Sequence, residues 1–474
     1  MIGVFRAAVL LLGLGRSRRS SSSSCGLLIV TLSLALLPTS LASARDGVFN
    51  PDTFTLDNGM QVVVVPNHRV PMVTHMVWYK VGSADEPPGH SGIAHLLEHL
   101  MFKGTETFGP GEFSGTVARI GGQENAFTSF DYTAYYQSVA KERLEQMMEM
   151  EADRMTNLAL TEDQVKSELL VVLEERNQRV ENNPSAILGE RAAAVQFMNH
   201  PYRRPIIGWE HEIAELERSE VLEFYKQWYA PNNAVLIVAG DVTAEEVRPL
   251  AEKYYGTIPA APDIRRHELR DPPQRTSRRV TLRDQRVRQP EWSRSYIVPS
   301  YRTGPSDDVY GLEVLSQILG GGSTSRLYRQ LVVDDALATS AGAWYNPSRR
   351  GPARMSLYAS PRPGVTLEQI EDAMESVLQD LIRDGVTDAE IERAKNGKFA
   401  DVVYARDSLS TGARVLGEAL AIGLSVDDVE EWPERIRAVT KAQIDAVAKQ
   451  VFGNTHSVTA LLLPEEAPAP EPSQ

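Results

Sequence analysis

His95-Leu96-Leu97-Glu98-His99 is the group in this sequence with the clearest chemical potential. Two histidines four positions apart lie one helical turn from each other, so both imidazoles can reach one metal ion from the same side. Glu98 stands immediately before the second histidine. It is placed to take a proton from a water that the metal activates rather than to ligate. The arrangement is an H-E-x-x-H zinc site with its base moved to the other end of the histidine pair. A catalytic zinc needs three protein ligands and one open position, so a further element must bring the third. Residues 161–176 offer Glu168, Glu174 and Glu175; Glu168 and Glu175 are seven apart and share a helix face, while Glu174 is rotated from Glu175 by about 100°.

Elements must exist to carry these groups. Ser91 at the start and Gly104 after the end predict a helix over about residues 91–103. Ile93, Leu97 and Leu100 form its apolar stripe, and His95, Glu98, His99 and Phe102 form another face. Few charges flank the helix, so it reads as buried, and buried His and Glu together need a partner, for which a cation serves. The competing reading is a hydrogen-bonded or solvated polar patch. Thr161 with Gln164 is a capping box that opens the helix bearing the glutamates, and Asn182-Asn183-Pro184 closes it. Upstream, residues 53–65 predict a hairpin about Asp57-Asn58-Gly59, followed by an apolar strand over residues 73–81. Residues 234–239 predict a buried strand turning at Gly240-Asp241.

A similar order of elements recurs. Gly311-Leu312 opens an apolar helix that ends at Gly320-Gly321-Gly322; capping boxes at Thr366/Gln369 and Thr387/Glu390 open two more. The chain therefore reads as a degenerate duplication. Setting Gly92 on Gly311 places Val314, Gln317 and Ile318 opposite His95, Glu98 and His99, so one half looks chemical and the other structural. The expected organisation is a leader over residues 1–44, a zinc-bearing domain over 45–262, a Pro/Arg-rich linker over 263–288, a homologous non-catalytic domain over 289–463 and a disordered tail over 464–474.

Composition narrows the function. Of 474 residues, 42% are apolar and 24% charged, which is ordinary for a globular protein and excludes collagen, coiled coil or wholesale disorder. The net charge of −14 argues against nucleic acid as a partner. Cys25 is the only cysteine, so no intrachain disulfide forms. Residues 1–44 contain four arginines and no acid, then an apolar stretch over residues 26–37 too short to span a bilayer, then Ala42-Ser43-Ala44. This pattern predicts a secretory signal cleaved near Ala44, and a periplasmic or secreted product with no stable membrane span. Its rivals are an uncleaved anchor and a mitochondrial transit peptide. Removal leaves 430 residues, no cysteine and a net charge of −18.

The stretch Pro87-Pro88-Gly89-His90-Ser91-Gly92-Ile93-Ala94-His95-Leu96-Leu97-Glu98-His99-Leu100-Met101-Phe102-Lys103-Gly104-Thr105 closely resembles the insulinase/pitrilysin zinc peptidases, in particular bacterial relatives of mitochondrial processing peptidase. The resemblance continues in Gly121-Gly122, Asn125-Ala126-Phe127-Thr128, Val171 to Arg176, Tyr229 to Asn233 and Gly320 to Tyr328, so it spans nearly the whole chain after the leader. It implies two similar α+β halves, each a mostly antiparallel sheet packed with helices. It implies one Zn2+ per chain, held by His95 and His99, with Glu98 as the base. The family's distal glutamate falls about seventy-five positions beyond the second histidine, which selects Glu175, with Glu168 orienting a histidine from behind. Asn125, Ala126, Phe127 and Thr128 would form an edge strand to which substrate peptide adds, with Asn125 near the scissile carbonyl. The competing reading of Asn125 is a turn residue.

One departure bears on partnership. Single-subunit relatives usually carry an Arg and a Tyr in the second half to bind substrate and polarise its carbonyl. Here Val332 and Thr339 stand at those places. Some bacterial relatives divide the work, so the resemblance implies that this chain is the zinc-bearing subunit of a two-subunit endopeptidase whose homologous partner supplies the Arg/Tyr pair. The alternatives are that Arg326, Tyr328 or Tyr345 substitutes, or that the chain is a non-catalytic assembly subunit.

Overall fold

The structure is a computed structural model that describes residues 47–465 apart from Asp263, His267 and Thr455. The leader over residues 1–44 and the tail beyond residue 465 lie outside the described residues. Two sheets organise the rest. The first runs in the order β1-β2-β6-β3-β5-β4, from β1 (Asp52–Thr55), β2 (Gln61–Pro66), β3 (Met72–Tyr79), β4 (Gln123–Thr128), β5 (Thr133–Ala140) and β6 (Ala234–Gly240). The second runs β7-β11-β8-β10-β9, from β7 (Arg278–Asp284), β8 (Glu291–Val298), β9 (Ala338–Tyr345), β10 (Ala353–Pro361) and β11 (Val458–Pro464). Without β1 the two orders coincide strand for strand. Each contains one parallel pair, β2 with β6 and β7 with β11, and is antiparallel elsewhere. The fold is therefore α+β with two homologous halves.

Each sheet buries one face on helices of its own half. Met60, Val62, Val64, Val77 and Tyr135 meet Leu96, Leu97 and Leu100 in the first core; Trp292, Met355 and Leu357 meet Val314, Leu315 and Ile318 in the second. The other faces are covered by exchange. Helix Leu409–Ala421, from the second half, lies on β3 and β6, where Ala413, Leu416 and Leu420 join Val63, Met76, Trp78, Val235 and Ile237. Gly417 of that helix lies so close to the Trp78 indole that a Cβ would overlap it. Helix Pro184–Gln196, from the first half, lies on β7 and β11 through Leu188, Ala192, Val280, Ala460 and Leu462. Between the halves, Arg350 donates to Asp85 at 2.8 Å, and its backbone N–H donates to Asp131 at 3.1 Å.

Several local expectations shift. The first hairpin pairs Thr55 with Gln61, which leaves a five-residue loop, not a two-residue turn. Asn58 is drawn away to donate to the carbonyls of Tyr255 and Ile258 at 2.7 and 2.9 Å. The apolar helix of the second half begins at Ser306, so Gly311 is interior, packed on Val447, and not an opening residue. Residues 278–284 of the expected linker form β7, in which Arg279 and Arg283 are exposed at the sheet edge while Arg278, Val280 and Leu282 lie on the half-buried face. Its pairing partner β11 lies about 180 residues away, and no local pattern announces that partner. The capping boxes at Thr161, Thr366 and Thr387 form as read.

Candidate metal centre

The motif lies on helix Ile93–Leu100, which is shorter at both ends than its sequence suggests. Ser91 does not cap it. Gly92 is the N-cap residue, at φ +94°, with the carbonyl of Ile207 so near that a Cβ would sit at 2.7 Å from it. Gly92 brings no capping side chain, and Glu86 supplies the capping acceptor: its Oε1 takes the N–H groups of Gly92 at 3.0 Å and Ala94 at 3.1 Å. Ser91 Oγ instead accepts from Trp209 N at 2.9 Å. Gly104, beyond the helix, has the expected positive φ.

Burial pushes the Glu86 carboxyl up to about 8, against the two backbone N–H groups and Arg204. The folded protein thus holds this proton across the range from about 4.5, where an unfolded chain releases it, to about 8. Folded protein binds the extra proton in that window, so this contribution to stability is full below about 4.5 and falls as pH rises toward 8. Glu86→Gln should remove that component. Denaturant unfolding of both proteins between pH 5 and 8 should show a flatter profile for the variant; parallel profiles would refute the assignment.

Helix Glu162–Arg176 lies against the motif helix and brings the carboxylates. Glu175 Oε2 is 3.3 Å from His99 Nε2 and 3.7 Å from His95 Nε2. One donor atom from each of His95, His99 and Glu175 lies within 4.8 Å of the others. Yet Glu175 Oε2, which faces both Nε2 atoms, is buried and takes no well-aligned hydrogen bond. Two imidazole nitrogens and a carboxylate oxygen that converge on one point fit a divalent cation, and the donor set suits zinc. Arg179 holds the other oxygen, Glu175 Oε1, at 2.9 Å. Glu174 points elsewhere, accepting from Gln178 at 2.8 Å. Burial and the neighbouring His99 charge lower His95 to about 4, so its nitrogens are free of the second proton. Burial also acts downward on His99, but Glu175 and Glu168 outweigh it and the net shift is upward. The neighbouring His99 imidazole leads the causes that lower Glu175.

Behind the trio, Glu168 is 5% exposed and its Oε1 lies 3.0 Å from His99 Nδ1. Glu98 is raised by burial, and Thr128 Oγ1 donates to its Oε2 at 2.5 Å. Thr128 thus meets the motif through its side chain, a contact that strand pattern alone does not reveal.

β4 is the edge strand of the first sheet, bonded on one side to β5. Ser129 N bonds to Tyr132 O across the turn, so by alternation Ala126 N–H points to the open side. Asn125 Oδ1 takes that N–H at 2.8 Å. Asn125 is therefore a strand residue paired with Tyr136, and not part of a turn. Ala126 and Thr128 share the face of the motif helix. Phe127 turns to the opposite face, against Trp78, Tyr132 and Arg414. A cavity of about 640 Å3 lies between the halves near Asp85, Tyr202 and Arg350, and none of the trio lines it.

In the second half, Val332 is buried and Thr339 Oγ1 donates to Ser360 O at 3.2 Å. Arg326 is bound to Glu390 at 2.5 Å and to Gly385 O at 2.8 Å, and Tyr345 OH donates to Pro299 O at 2.6 Å. Both polar groups are spent on structure. Among the described residues no helix is long and apolar enough to cross a membrane.

The duplicated α+β scaffold carries a two-histidine, one-glutamate cluster on helices of its first half, the one such group among the described residues. The chain belongs to the insulinase family, peptidase family M16. The family model for insulinase (peptidase family M16) matches residues 61–210, and that for the peptidase M16 inactive domain matches residues 215–398. Zinc protease PqqE of Helicobacter pylori is 31% identical over 92% of this chain and 98% of its own length. The uncharacterized zinc protease YmxG of Bacillus subtilis is 28% identical over 87% and 98%. The crystal structure of a protease from Helicobacter pylori superposes with a TM-score of 0.82 at 30% identity, covering 87% of this chain and 99% of that one.

Proposed function

We propose that this chain is a zinc-dependent endopeptidase that cleaves peptides or unfolded segments, and that it is the zinc-bearing member of a two-subunit peptidase. The observation that carries the reading is the convergence of His95, His99 and Glu175, with Glu175 Oε2 at 3.3 and 3.7 Å from the two imidazole Nε2 atoms. When bound there, zinc supplies a Lewis acid that polarises a peptide carbonyl and acidifies a water. The chain's own groups do the rest. Glu98, held on one oxygen by Thr128, takes the proton of the attacking water and returns it to the departing amine. Glu168 fixes the tautomer of His99 by accepting from its Nδ1. Substrate adds to the open edge of β4, displacing Asn125 from the Ala126 N–H and freeing the Asn125 amide for the carbonyl next to the cut.

The two-subunit reading is supported by Val332 and Thr339 in place of the Arg and Tyr, and by the commitment of Arg326 and Tyr345 to structural bonds. The basic, apolar and Ala-Ser-Ala sequence of residues 1–44 supports export and a periplasmic or secreted mature protein. The test is hydrolysis of a denatured protein by the zinc-loaded chain, alone and with a homologous subunit carrying Arg and Tyr. The expected result is weak cleavage alone and strong cleavage together, abolished by a chelator that leaves the unfolding temperature of the chain within a few degrees. Full activity alone removes the partner. No activity in either mixture favours the alternative, a non-catalytic assembly subunit.

A further inference from the structure

Lys103 lies in the turn that follows the motif helix, and its ammonium is 2.5 Å from Glu168 Oε2. The two oxygens of Glu168 are thereby divided, one for Lys103 and one for His99 Nδ1. The backbone at Lys103 is pinned to the glutamate helix and the segment before it. Gln164 Nε2 donates to Lys103 O at 3.1 Å, Ala159 N donates to Gly104 O at 3.3 Å, and Thr105 bridges Leu158. These ties fix where the ammonium can reach. The lysine side chain is about one third exposed, but the carboxylate it meets is buried, with a side-chain exposure of 7%. A buried carboxylate stripped of its cation turns toward water, and that rotation disturbs its bond to His99.

We infer that Lys103 is a positioning residue that holds Glu168 in the rotamer that presents His99 Nε2 for metal binding. The inference rests on the zinc reading above and adds to it a residue that touches neither metal nor substrate. Its sign is diagnostic. On charge alone, removing a cation near a dication's site leaves affinity unchanged or tightens it; loss of a positioning group weakens it.

The test is zinc affinity, measured by competition with a chromogenic chelator, for wild type, Lys103→Met, Lys103→Arg, Glu168→Gln and the Lys103→Met/Glu168→Gln double variant. Thermal unfolding of each metal-free protein checks that it folds. Lys103→Met is expected to weaken zinc by ~10–100-fold, the usual cost of losing an outer-shell partner. Lys103→Arg keeps the cation and stays close to wild type. The double variant should bind no more weakly than Glu168→Gln alone, because the two residues act in one chain. Unchanged or tighter binding by Lys103→Met, or additive losses in the double variant, would overturn the inference while leaving the metal site intact. Failure of wild type itself to take up zinc would overturn the metal reading and this inference with it.

Discussion

Glu98→Gln should retain zinc at one equivalent and lose ~10²–10⁴-fold in turnover, the usual contribution of a positioned acid–base group. The amide keeps the size of the carboxyl and can still pair with Thr128 Oγ1, which now donates to Glu98 Oε2, so the helix is not disturbed. It cannot accept the proton of the attacking water. Metal content by mass spectrometry separates this from loss of zinc, and KM should change much less than kcat. A variant that cleaves at the wild-type rate would show that another group is the base. A variant that loses its metal would show instead that Glu98 belongs to the ligand set.

The neighbouring glutamates give the second large contrast. Glu175→Ala should abolish zinc retention, and peptide hydrolysis with it, because two imidazoles alone make an incomplete site. Glu174→Ala should leave both unchanged. The sequence leaves these two adjacent residues hard to separate, but the structure sends them in different directions. Glu175 Oε2 reaches the two histidines, whereas Glu174 is exposed and bonded to Gln178. Equilibrium dialysis of both variants against zinc checks the pair. The reverse pattern would move the third ligand by one residue and rotate the helix face assigned to the site.

What the sequence discloses is what is local. His95, Glu98 and His99 fall within five residues, so their shared helix face follows from periodicity. The capping boxes at Thr161, Thr366 and Thr387 are also local, since donor and acceptor are three residues apart. The partner contacts of those elements are not local. Glu86 caps the motif helix from outside it, and no pattern marks a solitary buried glutamate as a cap. Ser91, the residue type that usually caps, is diverted to Trp209 by the close approach of residues 207–209. Lys103 looks like an ordinary helix-end cation until Glu168 arrives from a helix some sixty residues on. β7 hides among arginines and prolines because its pairing partner is the last strand of the fold.

The exchange of helices Pro184–Gln196 and Leu409–Ala421 has a consequence for how this chain matures. Neither half can complete its hydrophobic interior until the other has been synthesised, because each lends the other a wall. A nascent first half emerging from the ribosome therefore exposes Trp78, Val235 and Ile237 until the final quarter of the chain follows. The half that bears the His95/His99/Glu175 cluster would depend for its solubility on a helix that only the other half can deliver.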